Sequence, residues 1–546
     1  MSNARDMVEI RRPHGNMFSQ VPKAKIPRSQ FDRSMGLKTT LDMDRIVPIY
    51  VEEVLPGDTV TMRTRGFTRL FSPLKAPIMD NLHLDVHYFY VPYRILWDNW
   101  EKFNGAQDDP GDSIDYTIPV MSGGTPITTG MLGDYMGLPY GIDPANVDIS
   151  ALPFRAYVRI YNDWYRDENL VDSLTVTTSD GPDAAAYAFN VPEKRAKKHD
   201  YFTSALPWPQ KGDAVSIPLG TQAPITGIGK SNTTFPNGLT SVYETAQTAQ
   251  QDFVSSADIG DFSSLSYRFY VEEDTGSLAG RPAIYADLSS ATAATINQLR
   301  EAFQVQRLLE RDARAGTRYI EILKGHFGVT SPDFRLQRPE YLGGGKSFIN
   351  VSPVAQTSST VSSGTDASPQ GNLTAVGTGD VTGAGFAKSF VEHGIIIGLA
   401  SGHSDLTYQQ GLDRWWSRQT RYDFYWPALA QIGEQSILKK ELFVTETATD
   451  LEVFGYQERY AEYRYAPSRV TGKFRSDATG TLDIWHLAQD FATQPALNQT
   501  FIEYDTPMAR IQAVTSEPDL LLDVWFETKW ARPMPLYGVP GMIDHF

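Results

Sequence analysis

Between Leu82 and Phe103 the chain reads LHLDVHYFYVPYRILWDNWEKF, and the two-residue alternation of its first half is that of a β-strand. Leu82, Leu84, Val86, Tyr88 and Tyr90 share one face, while His83, Asp85, His87 and Phe89 share the other, the pattern of a half-buried sheet. Pro92, which has no amide proton to give a ladder, ends the strand. From Arg94 the spacing of Ile95, Leu96, Trp97, Trp100 and Phe103 predicts a short helix that lays its aromatic side on that sheet.

Similar strands surround it. Val47 to Val54 and Thr59 to Phe71 precede it, punctuated by Pro56-Gly57-Asp58 and followed by Pro73 and Pro77. A second strand-rich block lies near the other end: Ser436 to Thr447, Glu452 to Tyr456, Gly480 to Leu487 and Leu520 to Trp530. The expected closure is a mainly β fold, an eight-stranded jelly-roll sandwich built from 41–105 and 430–530, with 106–429 as inserted loops and helices. Within that insert, Ile296 to Ile322 has helical spacing, with Thr295 and Gln298 as a capping box and Gly316 dividing it. Lys211 to Leu288 and Val354 to Gly385 are rich in Gly, Ser, Thr and Ala without periodicity, and read as loops. The prolines 533, 535 and 540 make 531–546 an extended arm, and Trp530, Met534, Leu536 and Tyr537 favour its docking on a neighbour or on its own sandwich.

At 546 residues the chain exceeds the size at which one core stops growing, which suits a single sandwich with large insertions. No apolar run reaches the roughly 20 residues of a membrane span. The arginines near the N-terminus have no apolar block behind them, so no secretion signal is expected. The absence of cysteine excludes disulfides, thiol catalysis and cysteine-based zinc sites, and suits folding in a reducing cytoplasm. Net charge is −16, from 49 basic and 65 acidic residues, which argues against a surface that binds nucleic acid everywhere. Residues 1 to 35 run the other way, with seven basic residues against three acidic ones. A basic arm over 1–40, with Arg11, Arg12, Lys23, Lys25 and Arg28 as candidate phosphate contacts, fits local neutralisation of nucleic acid.

Catalytic and metal motifs are poorly supported. His83, Asp85 and His87 project from one side of a strand, yet successive same-face residues lie about 7 Å apart and converge badly on one ion. They read better as a polar sheet face, and no metal or other cofactor is expected. Gly343-Gly344-Gly345-Lys346-Ser347 looks like the end of a phosphate loop, but Glu340 stands where its first glycine belongs. GTGDVTG has Thr382 at the third glycine position of a dinucleotide loop; both glycine clusters are assigned to loops. Glu392-His393 and His403-Ser404-Asp405 carry triad-type residues without a GxSxG elbow, so no enzyme is expected. The aromatics are more telling: Trp415-Trp416, Tyr422 to Trp426, and Tyr456 to Tyr465 interleaved with Arg459 and Arg464. Such runs stack unpaired bases or fill protein contacts; for Trp415, Trp416 and the Tyr422 run, core and interface are favoured.

Several stretches, taken in order, resemble the major capsid proteins of the microviruses, and among them the gokushovirus branch. They are FSQVPKAKIPRSQF (Phe18 to Phe31), VLPGDTVTM (Val54 to Met62), KKHDYFTSALPWPQKG (Lys197 to Gly212), RDARAGTRYIEILKGHFG (Arg311 to Gly328), WARPMPLYGVPGM (Trp530 to Met542), and the Leu82 strand itself. The resemblance implies a T=1 icosahedral shell of identical copies around a circular single-stranded DNA genome of a bacteriophage. It implies virion localisation, assembly in the host cytoplasm, and as partners a pilot protein, a small basic DNA-binding protein and a host receptor. It also implies an insertion over 212–286, with Gly212, Phe235, Tyr243, Phe262, Tyr267 and Ala286, that protrudes near the threefold axes and attaches to the host. Two other classes remain open at this point: a jelly-roll carbohydrate-binding protein or carbohydrate-active enzyme, and a nucleic-acid-binding module outside any shell.

Overall fold

The computed structural model describes residues 27–122, 126–144, 146–183, 191–213, 215, 296–315, 319–328, 337–358 and 370–537, with short strand pieces between 225 and 286. The chain divides into two units, Met1–Pro209 with Ser331–Phe546, and Gln210–Thr330.

The first unit is organised by strands β1 (Ser29–Asp32), β2 (Met35–Leu41), β3 (Val47–Val54), β4 (Thr59–Leu70), β5 (Leu82–Pro92), β6 (Glu340–Ala355), β7 (Leu373–Val381), β8 (Gly385–Ser389) and β9 (Gly394–Ser404). Further on come β10 (Glu434–Leu438), β11 (Val453–Glu458) and β12 (Leu520–Arg532). Ten of these form one antiparallel sheet in the order β1-β12-β4-β7-β6-β5-β9-β3, with β8 also on β4 and β2 also on β12. The sheet curls because β6 serves both layers: Glu340 to Ile349 pairs with β5, and Asn350 to Ala355 pairs with β7. This curled sheet is the jelly-roll sandwich with inserted loops that the alternation and turn chemistry predict.

The core fills the inside of the curl. Leu84, Val86 and Tyr88 of β5 meet Val60 and Met62 of β4 and Leu522, Val524 and Phe526 of β12, all buried. Each such side chain contributes about 1.5–3 kcal/mol on leaving water. The Tyr88 hydroxyl, which burial would otherwise strand, shares a 2.5 Å hydrogen bond with Thr64 Oγ1.

The other face of β5 is buried too, where a half-buried sheet was expected. Helix α1 (Leu152–Ile160) packs Phe154, Tyr157 and Ile160 over Phe89 and Val91 of β5 and Ile395 and Ile397 of β9. Arg155 anchors it: Nε and Nη2 donate to the Asp183 carboxylate at 2.7 and 2.6 Å, Nη1 to the Leu96 carbonyl at 2.9 Å and Nη2 to the Ser179 carbonyl at 2.8 Å. The single helix expected after Arg94 is instead a 3-10 turn (Tyr93–Ile95) and a one-turn helix (Trp100–Phe103). Trp97 lies between them, fully buried, with its indole N–H on Asp180 Oδ1 at 2.6 Å.

Three sequence expectations are corrected. Strands β6 to β9 come from 340–404, inside the stretch assigned to insertions, whereas β10 and β11 pair with each other outside this sheet and Gly480 to Leu487 holds a 3-10 turn but no strand. Strand β9, GIIIGLASGHS, is buried along its whole length, so it shows no alternation to read. The glycines of β6 and β7 belong to the ladder and not to loops, because neighbouring backbone leaves no room for a side chain. A Cβ on Gly344 would collide with the Val86 carbonyl oxygen, and one on Gly379 would lie 2.6 Å from the Phe348 carbonyl oxygen. Gly383, with φ +79°, does sit in a turn.

In the second unit, α2 (Ile296–Ala315) and α3 (Tyr319–Phe327) flank the predicted break at Gly316, and His326 Nε2 lies 2.6 Å from Asp312 Oδ1 between them. Thr295 and Gly316 themselves are outside the described residues. Short antiparallel pairs join Tyr285–Ala286 to Ile225–Thr226, and Phe269–Glu272 to both Ile228–Lys230 and Leu239–Thr240. No helix among the described residues is long and apolar enough to cross a membrane.

Candidate interface surfaces

The polar row of β5 is a built network. His83 Nε2 lies 3.0 Å from Asp405 Oδ1, Asp85 Oδ2 accepts from Arg195 Nη1 at 2.7 Å, and His87 Nδ1 meets the Tyr165 hydroxyl at 2.8 Å. Strand β9 places His403 directly opposite His83, and Lys198 Nζ reaches His403 Nε2 at 2.6 Å. Burial pushes His87 down to about 4 and His403 down to about 3, so both imidazoles are neutral near pH 7. Burial also works against the Asp85 carboxylate, but His403 in its protonated form and the Arg195 guanidinium outweigh it and hold its pKa below the usual range. The row is a structural network under the sheet, close to the polar sheet face expected though buried within the chain, and it leaves His83 Nδ1, Asp85 Oδ1 and His403 Nδ1 buried without a hydrogen-bond partner among the described residues. Its partners Tyr165, Arg195, Lys198 and His403 come from distant segments, so no local sequence signal announced them.

The aromatic runs form a shelf on the surface. Trp415, Trp416, Tyr422, Phe424, Tyr425 and Trp426 are 48–63% exposed, so they do not belong to the core of a single copy. The shelf is nonetheless fixed in shape. Asp423 accepts from the Gln419 and Thr420 amides at 3.0 and 2.7 Å, and the Trp426 indole donates to the Arg421 carbonyl at 2.8 Å. The Trp415 and Trp416 rings stack at 3.8 Å, and Arg418, paired with Glu462 at 3.1 Å, covers the Tyr463 ring at 4.4 Å. On the order of 100 Å² of each of the six exposed rings stays open to solvent. Preordered aromatic and arginine surface of this kind marks a protein contact.

The remaining site expectations are only partly within view. Arg11, Arg12, Lys23 and Lys25 lie outside the described residues. Arg28 is spent on its own chain: Nη2 donates to the Gly57 carbonyl at 2.7 Å, Thr59 Oγ1 at 2.8 Å and the Ala531 carbonyl at 3.2 Å. Phe235, Tyr243, Phe262 and Tyr267 also lie outside; Gly212 is an exposed bend at φ +91°, and Ala286 ends a two-residue strand. At the C-terminal end Trp530 is buried in β12, whereas Leu536 and Tyr537 stay exposed at 56% and 79%, so these two do not dock on their own sandwich.

Residues 19–542 match the phage capsid protein (F protein) family. The chain belongs to that family. This capsid protein is 49% identical to capsid protein VP1 of Bdellovibrio phage phiMH2K, over 98% of this chain and 99% of that one. It is 44% identical to capsid protein VP1 of Chlamydia phage 1, over 96% and 98%, and 36% identical to capsid protein VP1 of Spiroplasma virus 4, over 96% and 97%. The gokushovirus resemblance carried by the ordered motifs is borne out. A capsid protein acts by packing against copies of itself in the virion, which gives the aromatic shelf of this one a natural use.

Proposed function

We propose that this capsid protein forms a T=1 icosahedral shell around a circular single-stranded DNA genome of a bacteriophage, and that it has no catalytic role. The observation that carries the reading is the family match along nearly the whole chain, set beside an ordered aromatic shelf too apolar to stay in water. Many modest contacts repeated around closed rotation axes suffice for a stable shell. The basic arm, with Arg11, Arg12, Lys23 and Lys25, faces the DNA, while Arg28 clamps the arm to the sheet edge. The 531–546 arm lies on a neighbouring copy. The 212–286 insertion projects near the threefold axes and attaches to a receptor on the host. Assembly takes place in the host bacterial cytoplasm, and a pilot protein and a small basic DNA-binding protein join the particle.

Cryo-electron microscopy of purified particles tests the shell: closed shells of one diameter, with 60 copies by symmetry for T=1, are expected, and small oligomers alone would overturn it. Neutralising Arg11, Arg12, Lys23 and Lys25 while keeping Arg28 should lower DNA content more than shell yield; equal DNA content would remove the arm's role. Deleting 212–286 should leave the sandwich folded and reduce adsorption to host cells, and unchanged adsorption would remove the loop's role.

A further inference from the structure

Beside the polar row, between β5, the π-helical turn Tyr161–Tyr165 and the segment 195–199, lies a cavity of about 420 Å³, within the range of ligand sites. In a chain of net charge −16 its lining is inverted, with four cations, Arg166, Arg195, Lys197 and Lys198, against one carboxylate, Asp167. Two of the cations are committed elsewhere: Arg195 is paired with Asp85, and Lys197 donates to the Phe501 carbonyl at 2.6 Å. Of the Asp167 carboxylate, Oδ1 accepts from the Asn169 and Leu170 amides at 2.9 and 3.1 Å. Arg166 and Lys198 remain without a carboxylate partner among the described residues. Arg166 gives Nη1 to the Val171 carbonyl at 2.6 Å and keeps a buried Nε with no partner there. Lys198 rests on a neutral imidazole and beside Lys346, and burial first, then that second ammonium, draws it down to about 8 despite Asp85. The opposite wall is aromatic: Trp164 and Tyr341 lie 5.9 Å apart at 38°, each over 40% exposed and backed by buried Phe89.

We propose that this cavity binds one nucleotide, its phosphate against Arg166 and Lys198 and its base against Trp164 and Tyr341. A cation pair beside a ring platform is the arrangement that holds unpaired nucleotides, because phosphate needs donors and every base has a π-face. The nucleotide belongs to the packaged single strand, so the inference rests on the genome reading above; free nucleotides share the chemistry and the test separates them.

Calorimetric titration of the full, unassembled chain at low salt compares thymidine monophosphate, thymidine, inorganic phosphate and a ten-residue oligothymidylate. The monophosphate and the oligonucleotide are expected to compete for one site, with thymidine and phosphate at least tenfold weaker. Lys198→Gln should lower oligonucleotide affinity severalfold and reduce the salt slope by about one contact. Trp164→Ala should lower it at least fivefold. Circular dichroism checks that both variants remain folded, and Trp164→Phe, which keeps a ring, should restore most of the affinity. Oligonucleotide binding unchanged in Lys198→Gln and Trp164→Ala would overturn the pocket and leave the genome reading standing. Failure of both the free chain and its shells to hold any oligonucleotide would overturn the genome reading. Binding of the monophosphate without competition from the oligonucleotide would overturn the strand as occupant, and phosphate binding as tightly as the monophosphate would overturn the stacked base.

Discussion

Substituting Arg155 by methionine should be among the most damaging single changes in this chain, and the reason lies in its surroundings. The Arg155 and Asp183 side chains are 0% and 1% exposed, with two hydrogen bonds between them. Methionine fills most of the arginine volume, so the cost comes from electrostatics and not from a cavity. An uncompensated buried carboxylate costs about 3–5 kcal/mol, and the Leu96 and Ser179 carbonyls also lose their donor. A total near 4 kcal/mol is expected for Arg155→Met. Removing both charges, in Arg155→Met with Asp183→Leu, should recover part of that loss and bring the cost to about 1–2 kcal/mol. Urea unfolding of the unassembled chain, followed by tryptophan fluorescence, reads the difference as a midpoint shift multiplied by the shared slope. Buried Trp97, which packs in the same cluster as α1, reports on this region. A single variant that loses less than about 1 kcal/mol, or a double variant no better than the single, would refute the reasoning.

Three further outcomes are expected. Gly344→Ala should destabilise by about 1–3 kcal/mol or more, seen as loss of folded protein on expression, because its methyl group meets the Val86 carbonyl, the His87 ring and the Tyr341 hydroxyl. The Asp44 carboxyl is raised to about 6, chiefly by burial and in spite of its hydrogen bonds from Thr506. Its folded pKa lies above its unfolded one, so its contribution to stability is full below about pH 4 and is lost as pH rises through 6; Asp44→Asn should flatten that part of the stability profile relative to the parent. Replacing Trp415 and Trp416 by alanine should leave the unfolding free energy within about 0.5 kcal/mol of the parent and sharply lower shell yield in sucrose gradients, since both rings are exposed in the single chain.

Strands with one polar face were easy to read: β3, β4, β5 and β12 were all found, and β5 ends at Pro92 as predicted. Strands whose residues are apolar on both faces, or rich in glycine, were not. In β9 the apolar run carries no period, and in β6 and β7 the residues that make close backbone approach possible are the same ones that signal loops elsewhere. The stretch from Glu434 to Leu487 misled for the converse reason: its alternation is real, but it serves a local hairpin and a run of 3-10 turns. The aromatic shelf was visible as a cluster, while its exposure was not, because composition does not say whether a tryptophan faces inward or outward. The cationic cavity was illegible, since Phe89, Trp164, Lys198 and Tyr341 meet only through long-range folding.

Strand β6, running without interruption from one layer into the other, has a mechanical consequence. The two layers cannot be peeled apart at a seam of side chains alone, for any separation must also bend or tear a continuous main chain hydrogen-bonded at both ends. An outward push on one wall is therefore carried into the other through covalent bonds, so the two walls respond to load as one piece.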